Sequence, residues 1–211
     1  MSNLNQTAIH AMAPDTSGTS AQAGARVKVW DPFVRLFHWS LVAAVLTAYF
    51  TEDDLLGLHT WAGYTVLALI GARLLWGLVG PHHARWSSFV RRPRATLAYL
   101  ADALRGQAAR HLGHNPAGAV MVLALLTGLI VTSVTGLAVL GASEDAGPLA
   151  PYLLGLSAEA AHDLEEIHEW VANLTMLLVP LHLLGVALAS RQHGENLVRA
   201  MIDGYKRGER A

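Results

Sequence analysis

The stretch NPAGAVMVLALLTGLIVTSVTGLAVLGAS (115–143) contains no charged residue, and it decides the fold class. A helix needs about 20 mostly apolar residues to cross the hydrocarbon core of a bilayer. A second charge-free stretch, WVANLTMLLVPLHLLGVALAS (170–190), also meets this requirement. Two shorter charge-free stretches, 36–51 and 55–72, meet it if the arginine beside each lies near the membrane edge or faces other helices. The sequence therefore predicts a multi-pass membrane protein.

This pattern predicts an all-α integral membrane protein, built as a four-helix transmembrane bundle in one domain that covers 26–211. The composition agrees, because 53% of the 211 residues are hydrophobic and 15% are charged, against about 25% charged in soluble domains. Residues 1–25 are rich in small and polar side chains and are predicted to be a disordered tail rather than a signal peptide. The spans are expected at about 33–51, 55–79, 116–141 and 162–190.

The fifteen lysines and arginines are unevenly distributed between the two sides of the predicted bundle. Fourteen of them precede or open the first span, lie in the 81–114 loop or follow the fourth span. The remaining one, Arg73, lies toward the inner end of the second span. The loops at 52–54 and 142–167 contain none of them and hold acidic residues instead. Cytoplasmic loops carry an excess of Lys and Arg. Both termini and the 81–114 loop are therefore predicted to be cytoplasmic.

Four of the eleven histidines fall inside the predicted spans, where an ionisable side chain is a candidate functional residue. His168 and His182 are fourteen residues apart on the fourth span. At about 100° and 1.5 Å per residue, they face nearly the same direction and stand about 21 Å apart along the helix. His38 opens the first span at the level of His182, and His59 opens the second at the level of His168. The spacing predicts an inner pair, His38 with His182, and an outer pair, His59 with His168.

Each pair is interpreted as the two axial ligands of one haem, because imidazole is a common ligand of haem iron. Four unrelated structural histidines are the alternative, but they would rarely fall into two pairs matched in depth. The absence of cysteine excludes thiolate metal sites and covalent c-type haem, so the predicted cofactors are two b haems. His162 is the main rival ligand for the outer haem, although it should face away from His168 on the helix.

Three further residues are candidates for haem contact. Gly63 lies one turn after His59, where a porphyrin could approach the helix closely, and helix–helix packing through small residues is the alternative. Arg73 lies fourteen residues after His59, and Arg35 lies three residues before His38. Both arginines are candidates to pair with the propionates of the inner haem. The alternative is that they extend to the inner lipid headgroups.

Six short motifs carry a resemblance to a known family: VWDPFVRLFHW (29–39), LHTWAGY (58–64), RLLWGLVG (73–80), IHEWVANL (167–174), PLHLLGV (180–186) and NLVRAMIDGYKRG (196–208). As a set they resemble the bacterial di-haem cytochrome b-561 superfamily, which includes the b-type cytochrome subunit of nickel–iron hydrogenases. The resemblance covers roughly 27–208 and implies a location in the bacterial inner (plasma) membrane. It implies that the haem ligands are His38, His59, His168 and His182.

The resemblance also implies transmembrane electron transfer between a periplasmic redox partner, such as a cytochrome c or a hydrogenase-like protein, and the membrane quinone pool. The chain would then be the electron-transfer subunit of an oxidoreductase system in a respiratory chain, with a quinone as a further candidate ligand. A stand-alone superoxide:quinone oxidoreductase and a non-redox scaffold or transporter are the alternatives. Membrane lipid is an expected contact, a homodimer or larger complex is compatible with this function, and no nucleic-acid partner is expected.

Overall fold

The computed structural model describes residues 26–52, 54–90 and 92–208, and the predicted N-terminal tail, 1–25, lies outside them. Four of its helices are long and apolar enough to cross a membrane, which confirms the predicted all-α transmembrane bundle. In chain order the elements are β1 (Arg26–Lys28), α1 (Pro32–Phe50), α2 (Leu56–Val79), a 3₁₀ turn (His82–Ala84), α3 (Trp86–Phe89), α4 (Pro93–Leu104), α5 (Pro116–Ser143), α6 (Ala150–Leu153), α7 (Ala158–His193), α8 (Leu197–Asp203) and β2 (Tyr205–Arg207).

Local sequence signals determine where the spanning helices α1 and α5 begin. The Asp31 carboxylate accepts a hydrogen bond from the backbone N–H of Val34 at 3.1 Å and so caps α1. The Asn115 side chain caps α5 in the same way, accepting from Gly118 N–H at 2.6 Å. A proline follows each cap, at a position where the missing N–H costs no helical hydrogen bond.

The fourth spanning helix, α7, is longer than the sequence pattern predicts. It begins at Ala158, after a Ser157 cap, and continues to His193, where Gly194 ends it with φ +58°. Its 36 residues correspond to a length of about 54 Å. The hydrocarbon core of a bilayer is about 30 Å thick. The helix therefore extends well beyond the membrane core. Its first turns, which precede the apolar segment, contain acidic residues.

The four spanning helices pack as two pairs. α1 packs along α2, α5 packs along α7, and a contact between α2 and α5 joins the pairs. Few residues in the most apolar part of α7 are fully buried, and one side of this helix lines the cleft described below. The buried cluster where the pairs meet consists of Phe37, Ala44, Val66, Ile70, Leu126 and Leu129.

A short antiparallel sheet, which was not expected from the sequence, joins the two ends of the described chain. Val27 of β1 lies opposite Lys206 of β2. The N–H groups of Val29 and Trp30 both donate to the carbonyl of Gly204, at 2.9 and 3.1 Å. Gly204 has φ +88°, a conformation that glycine adopts without steric cost. This sheet lies at what we call the inner end of the bundle, and the opposite end is the outer end.

Candidate functional site

An open cleft runs between the four spanning helices and forms the candidate site. It has a volume of about 1700 Å³, including the part that opens to the surroundings. Its walls are mainly apolar, and the sequence-predicted residues that line it are His38, His59, Gly63, Arg73, His168 and His182.

The outer pair lies across the cleft, with His59 on α2 facing His168 on α7. The two ring centroids are 6.1 Å apart and the ring planes are nearly perpendicular, at 87°. Two metal–imidazole bonds of about 2 Å each, together with the distance from each ligating nitrogen to its ring centre, span about 6 Å. One metal ion therefore fits between the two rings.

Both imidazoles of the outer pair use their Nδ1 atoms in hydrogen bonds. His59 Nδ1 lies 2.9 Å from the carbonyl oxygen of Ala48 and donates to it. Ala48 is in the last turn of α1, and its carbonyl oxygen also accepts from the Thr51 N–H at 3.3 Å. His168 Nδ1 lies 3.0 Å from the Oγ1 of Thr135 on α5. With Nδ1 occupied in each ring, Nε2 remains as the free nitrogen, and it is the atom that can bind a metal.

Thr135 was not predicted as a site residue, although its polar side chain inside the apolar span 116–141 is a signal that points to it. The Thr135 hydroxyl lies 3.0 Å from the carbonyl oxygen of Val131, one turn earlier on α5. The next residue, Gly136, lies directly under the His168 ring. A Cβ atom built on Gly136 would be 2.9 Å from His168 Cε1, so only glycine allows the ring to pack this closely against α5.

The inner pair lies at the other level of the same cleft. His38 on α1 and His182 on α7 both line it. The Nδ1 atom of His38 is buried and has no hydrogen-bond partner among the described residues. Trp39 contacts the His38 ring edge-on, with ring centroids 5.0 Å apart. His38 therefore lacks the polar support that both outer histidines have.

Arg73 enters the cleft from α2 near the inner pair and is only 3% exposed. Its Nη2 donates to the carbonyl of Ala84 at 3.1 Å, and its guanidinium lies 4.4 Å from the ring centre of Trp86. Its Nη1 is buried with no hydrogen-bond partner among the described residues. A buried cation with an unused donor is costly unless an anion pairs with it. The site is therefore suited to a negatively charged group.

The other predicted arginine, Arg35, is not among the residues that line the cleft. Its Nη1 donates to the carbonyl of Ile202 at 2.5 Å, at the end of α8. Trp39 on the same helix donates to the neighbouring carbonyl of Met201 at 3.3 Å. The Arg35 side chain therefore anchors α8 to α1, while its Nε is buried with no hydrogen-bond partner among the described residues. Its role beside the inner pair stays a prediction.

Gly63 and His162 lie where the helical spacing places them. Gly63 lines the cleft beyond His59, and a Cβ atom built on it would have no other atom within 4 Å. His162, the rival ligand, has a side chain that is 67% exposed, and its Nε2 lies 3.5 Å from the Glu166 carboxylate. It is not part of the cleft lining, since it points away from His168.

The inner end of the bundle also encloses His114, just before α5. Its ring packs between Trp30 and Phe89, with ring centroids 4.7 and 4.5 Å away. Its Nδ1 is buried without a hydrogen-bond partner among the described residues. Burial, followed by the positive charges of Arg73 and Lys206, lowers the pKa of His114 to about 3. His114 is therefore neutral at physiological pH.

We expect His114 to make the protein less stable in mild acid. Its pKa in the folded chain is about 3, and that of a free histidine is about 6.5. Between these values only the unfolded chain binds the proton, so stability falls as the pH decreases from 6.5 toward 3, by about 2 kcal/mol at pH 5. The variant H114F should lose less thermal stability in detergent between pH 7.5 and pH 5 than the wild type. The exposed control H162F should behave like the wild type. If H114F loses as much thermal stability as the wild type, His114 is not the residue that causes the acid sensitivity.

Comparison with known proteins identifies the family. A family model described as prokaryotic cytochrome b561 matches residues 29–204. The chain is 26% identical to the probable Ni/Fe-hydrogenase B-type cytochrome subunit of Azotobacter chroococcum mcd 1, over 85% of this chain and 88% of that protein. It is 23% identical to the protein of the same description from Bradyrhizobium diazoefficiens, over 93% of this chain and 92% of that protein. No solved structure matches the chain. Because the family model covers most of its length, the chain belongs to the prokaryotic cytochrome b561 family and is a multi-pass membrane protein that transfers electrons through haem b.

Proposed function

We propose that the cleft holds two b haems, one between the histidines of the outer pair and one between those of the inner pair. The observation that carries this proposal is the outer pair, whose rings are 6.1 Å apart across the cleft. Both of its rings keep Nε2 free, because Nδ1 is already hydrogen-bonded. The inner pair lines the same cleft on the side of the chain ends.

The residues around the two pairs fit a porphyrin with acidic side groups. Arg73 has a buried guanidinium nitrogen with no partner among the described residues, and a haem propionate would supply the missing acceptor. Gly63 leaves open space on the cleft wall beside His59, where a flat ring can approach the helix. The mainly apolar cleft wall suits the rest of the macrocycle. Arg35, which bonds α8, has no part in this proposal.

A bound b haem supplies an iron centre that gains and loses one electron. Two histidines per iron leave no open coordination position, which favours electron transfer over oxygen activation. The side chains of this protein would hold each macrocycle in position, and at the outer pair the hydrogen bonds to Nδ1 would leave Nε2 as the ligating nitrogen. His168 and His182 are about 21 Å apart along α7. An electron would therefore pass from one haem to the other along the membrane normal.

The distribution of charge supports an orientation in which both chain ends are cytoplasmic. Lys and Arg are found at the inner end, while the outer-end segments 52–54 and 142–167 contain only acidic charges. An acidic outer surface suits a basic periplasmic redox protein, such as a cytochrome c or a hydrogenase-like partner, by electrostatic steering. The relatives are described as hydrogenase cytochrome subunits, which fits such a complex. We propose that the inner level exchanges electrons with the membrane quinone pool.

The haem content of the purified protein tests this proposal. A reduced-minus-oxidised spectrum should contain a b-type α band, and the pyridine haemochrome assay should give about two haems per chain, one for each histidine pair. A quinol added to the oxidised protein in nanodiscs should reduce part of this haem. A value of one haem per chain would contradict the proposed pairing, and the absence of an α band would contradict haem binding in this preparation.

A further inference from the structure

The two histidine pairs differ in how their rings are hydrogen-bonded. In the outer pair, His59 Nδ1 is 2.9 Å from the Ala48 carbonyl, and His168 Nδ1 is 3.0 Å from the Thr135 hydroxyl. In the inner pair, His38 Nδ1 is buried and makes no hydrogen bond to any residue that the structure describes. The protein therefore polarises the ligands at one level and leaves a ligand at the other level unsupported.

The direction of the bond between His168 and Thr135 follows from the other contacts of the hydroxyl. Thr135 Oγ1 lies 3.0 Å from the carbonyl oxygens of both Val131 and Thr132, and these groups can only accept. The hydroxyl proton is therefore directed to the backbone, and the oxygen lone pair is left to accept from His168. As a result, His168 carries its proton on Nδ1 and presents an unprotonated Nε2 to the cleft.

An imidazole that donates from Nδ1 becomes a more basic ligand through its other nitrogen. A more basic ligand stabilises ferric iron more than ferrous iron, and so lowers the reduction potential. This effect acts twice at the outer pair, through the Ala48 carbonyl and through Thr135. At the inner pair, His38 has no such acceptor among the described residues.

The fixed charges of the cleft also favour a lower reduction potential at the outer pair than at the inner pair. Glu52 lines the cleft at the outer end, and Arg73 lines it near the inner pair. A nearby carboxylate favours the more positive ferric state, whereas a buried guanidinium favours the ferrous state. Arg73 is only 3% exposed, so water screens its charge weakly.

We propose that the outer pair holds the iron of lower reduction potential, and that Thr135 is a positioning residue that sets this potential through His168. The inference rests on the proposed function, in that each pair ligates one haem. With a haem held at each pair, ferrous iron at the outer pair would give one electron to ferric iron at the inner pair, which would then be ferrous. This difference in potential would direct electron flow from the outer end toward the end that carries the chain termini.

A potentiometric titration of the α band tests the inference on the complete protein in detergent. The wild type should titrate in two one-electron steps. The variant T135V keeps the side-chain volume but removes the hydroxyl. The midpoint potential of the lower step should therefore become more positive. For a one-electron couple, a change of about tenfold in the equilibrium constant for reduction corresponds to a shift of about 59 mV in midpoint potential. The upper step should remain where it is.

Two further variants separate tuning from structural damage. T135S keeps the hydroxyl and should restore the wild-type lower step. T127V removes a hydroxyl from an exposed position of the same helix and should leave both steps unchanged. A shift of the upper step in T135V, or no shift of either step, would overturn the inference. A wild type with only one haem would instead contradict the proposed function.

Discussion

Replacing His168 with alanine is expected to reduce the haem content from about two to about one per chain. The variant removes one of the two axial ligands of the outer pair and leaves His59 to face an empty position. The inner pair lies about 21 Å away along α7, so its haem should be retained with an unchanged spectrum. The pyridine haemochrome assay and the reduced-minus-oxidised spectrum measure both quantities.

Matched variants make this experiment specific. H182A should also reduce the content to about one haem, but should spare the outer pair, so the haem that remains should titrate at the lower potential. H162A changes an exposed histidine on the same helix and should retain both haems. If H168A retains two haems, or if H162A loses one, the ligand assignment is wrong.

The second large effect is expected from filling the cleft at Gly63. A Cβ atom at this position has no other atom within 4 Å, so leucine can be accommodated by the protein itself. Its side chain would extend along the cleft wall beside His59, into the space that we assign to the outer haem. We expect G63L to fold and to lose most of the outer haem, with disappearance of the lower step in the redox titration.

The same helix offers a control for this variant. A Cβ atom on Gly71 also has no other atom within 4 Å, but Gly71 is exposed and is not among the cleft residues. G71L therefore adds the same apolar volume to a surface that faces away from the cleft, and should retain about two haems. Equal haem loss in both variants would indicate a general effect of leucine on α2, and retention of two haems in G63L would contradict the cleft assignment.

Several properties of this protein were predictable from the sequence because they depend on one helix at a time. Charge-free stretches report how long a helix can remain in a membrane, so four spans could be located from composition alone. The regular rotation and rise of a helix relate residues such as His168 and His182 in direction and depth. The expectation that His162 faces elsewhere has the same basis, and the structure agrees with it.

Other features depend on how separate helices meet, which periodicity along one helix does not determine. The contact of Thr135 with His168 requires a particular offset between α5 and α7, and the bond from His59 requires the last turn of α1 beside the first turn of α2. Arg35 has the spacing expected of a cleft residue, yet the carbonyl of Ile202 binds it because α8 folds back against α1.

The sequence by itself determined the membrane class, the number of spans and the two depths of the histidines, since each follows from local composition and helix geometry. The tertiary structure alone decided which nitrogen each outer histidine leaves free, which arginine lies in the cleft, and that a small sheet joins the chain ends. These features arise from contacts between residues far apart in the chain. Such contacts depend on the offsets and crossing of packed helices, which are determined only when all four have assembled.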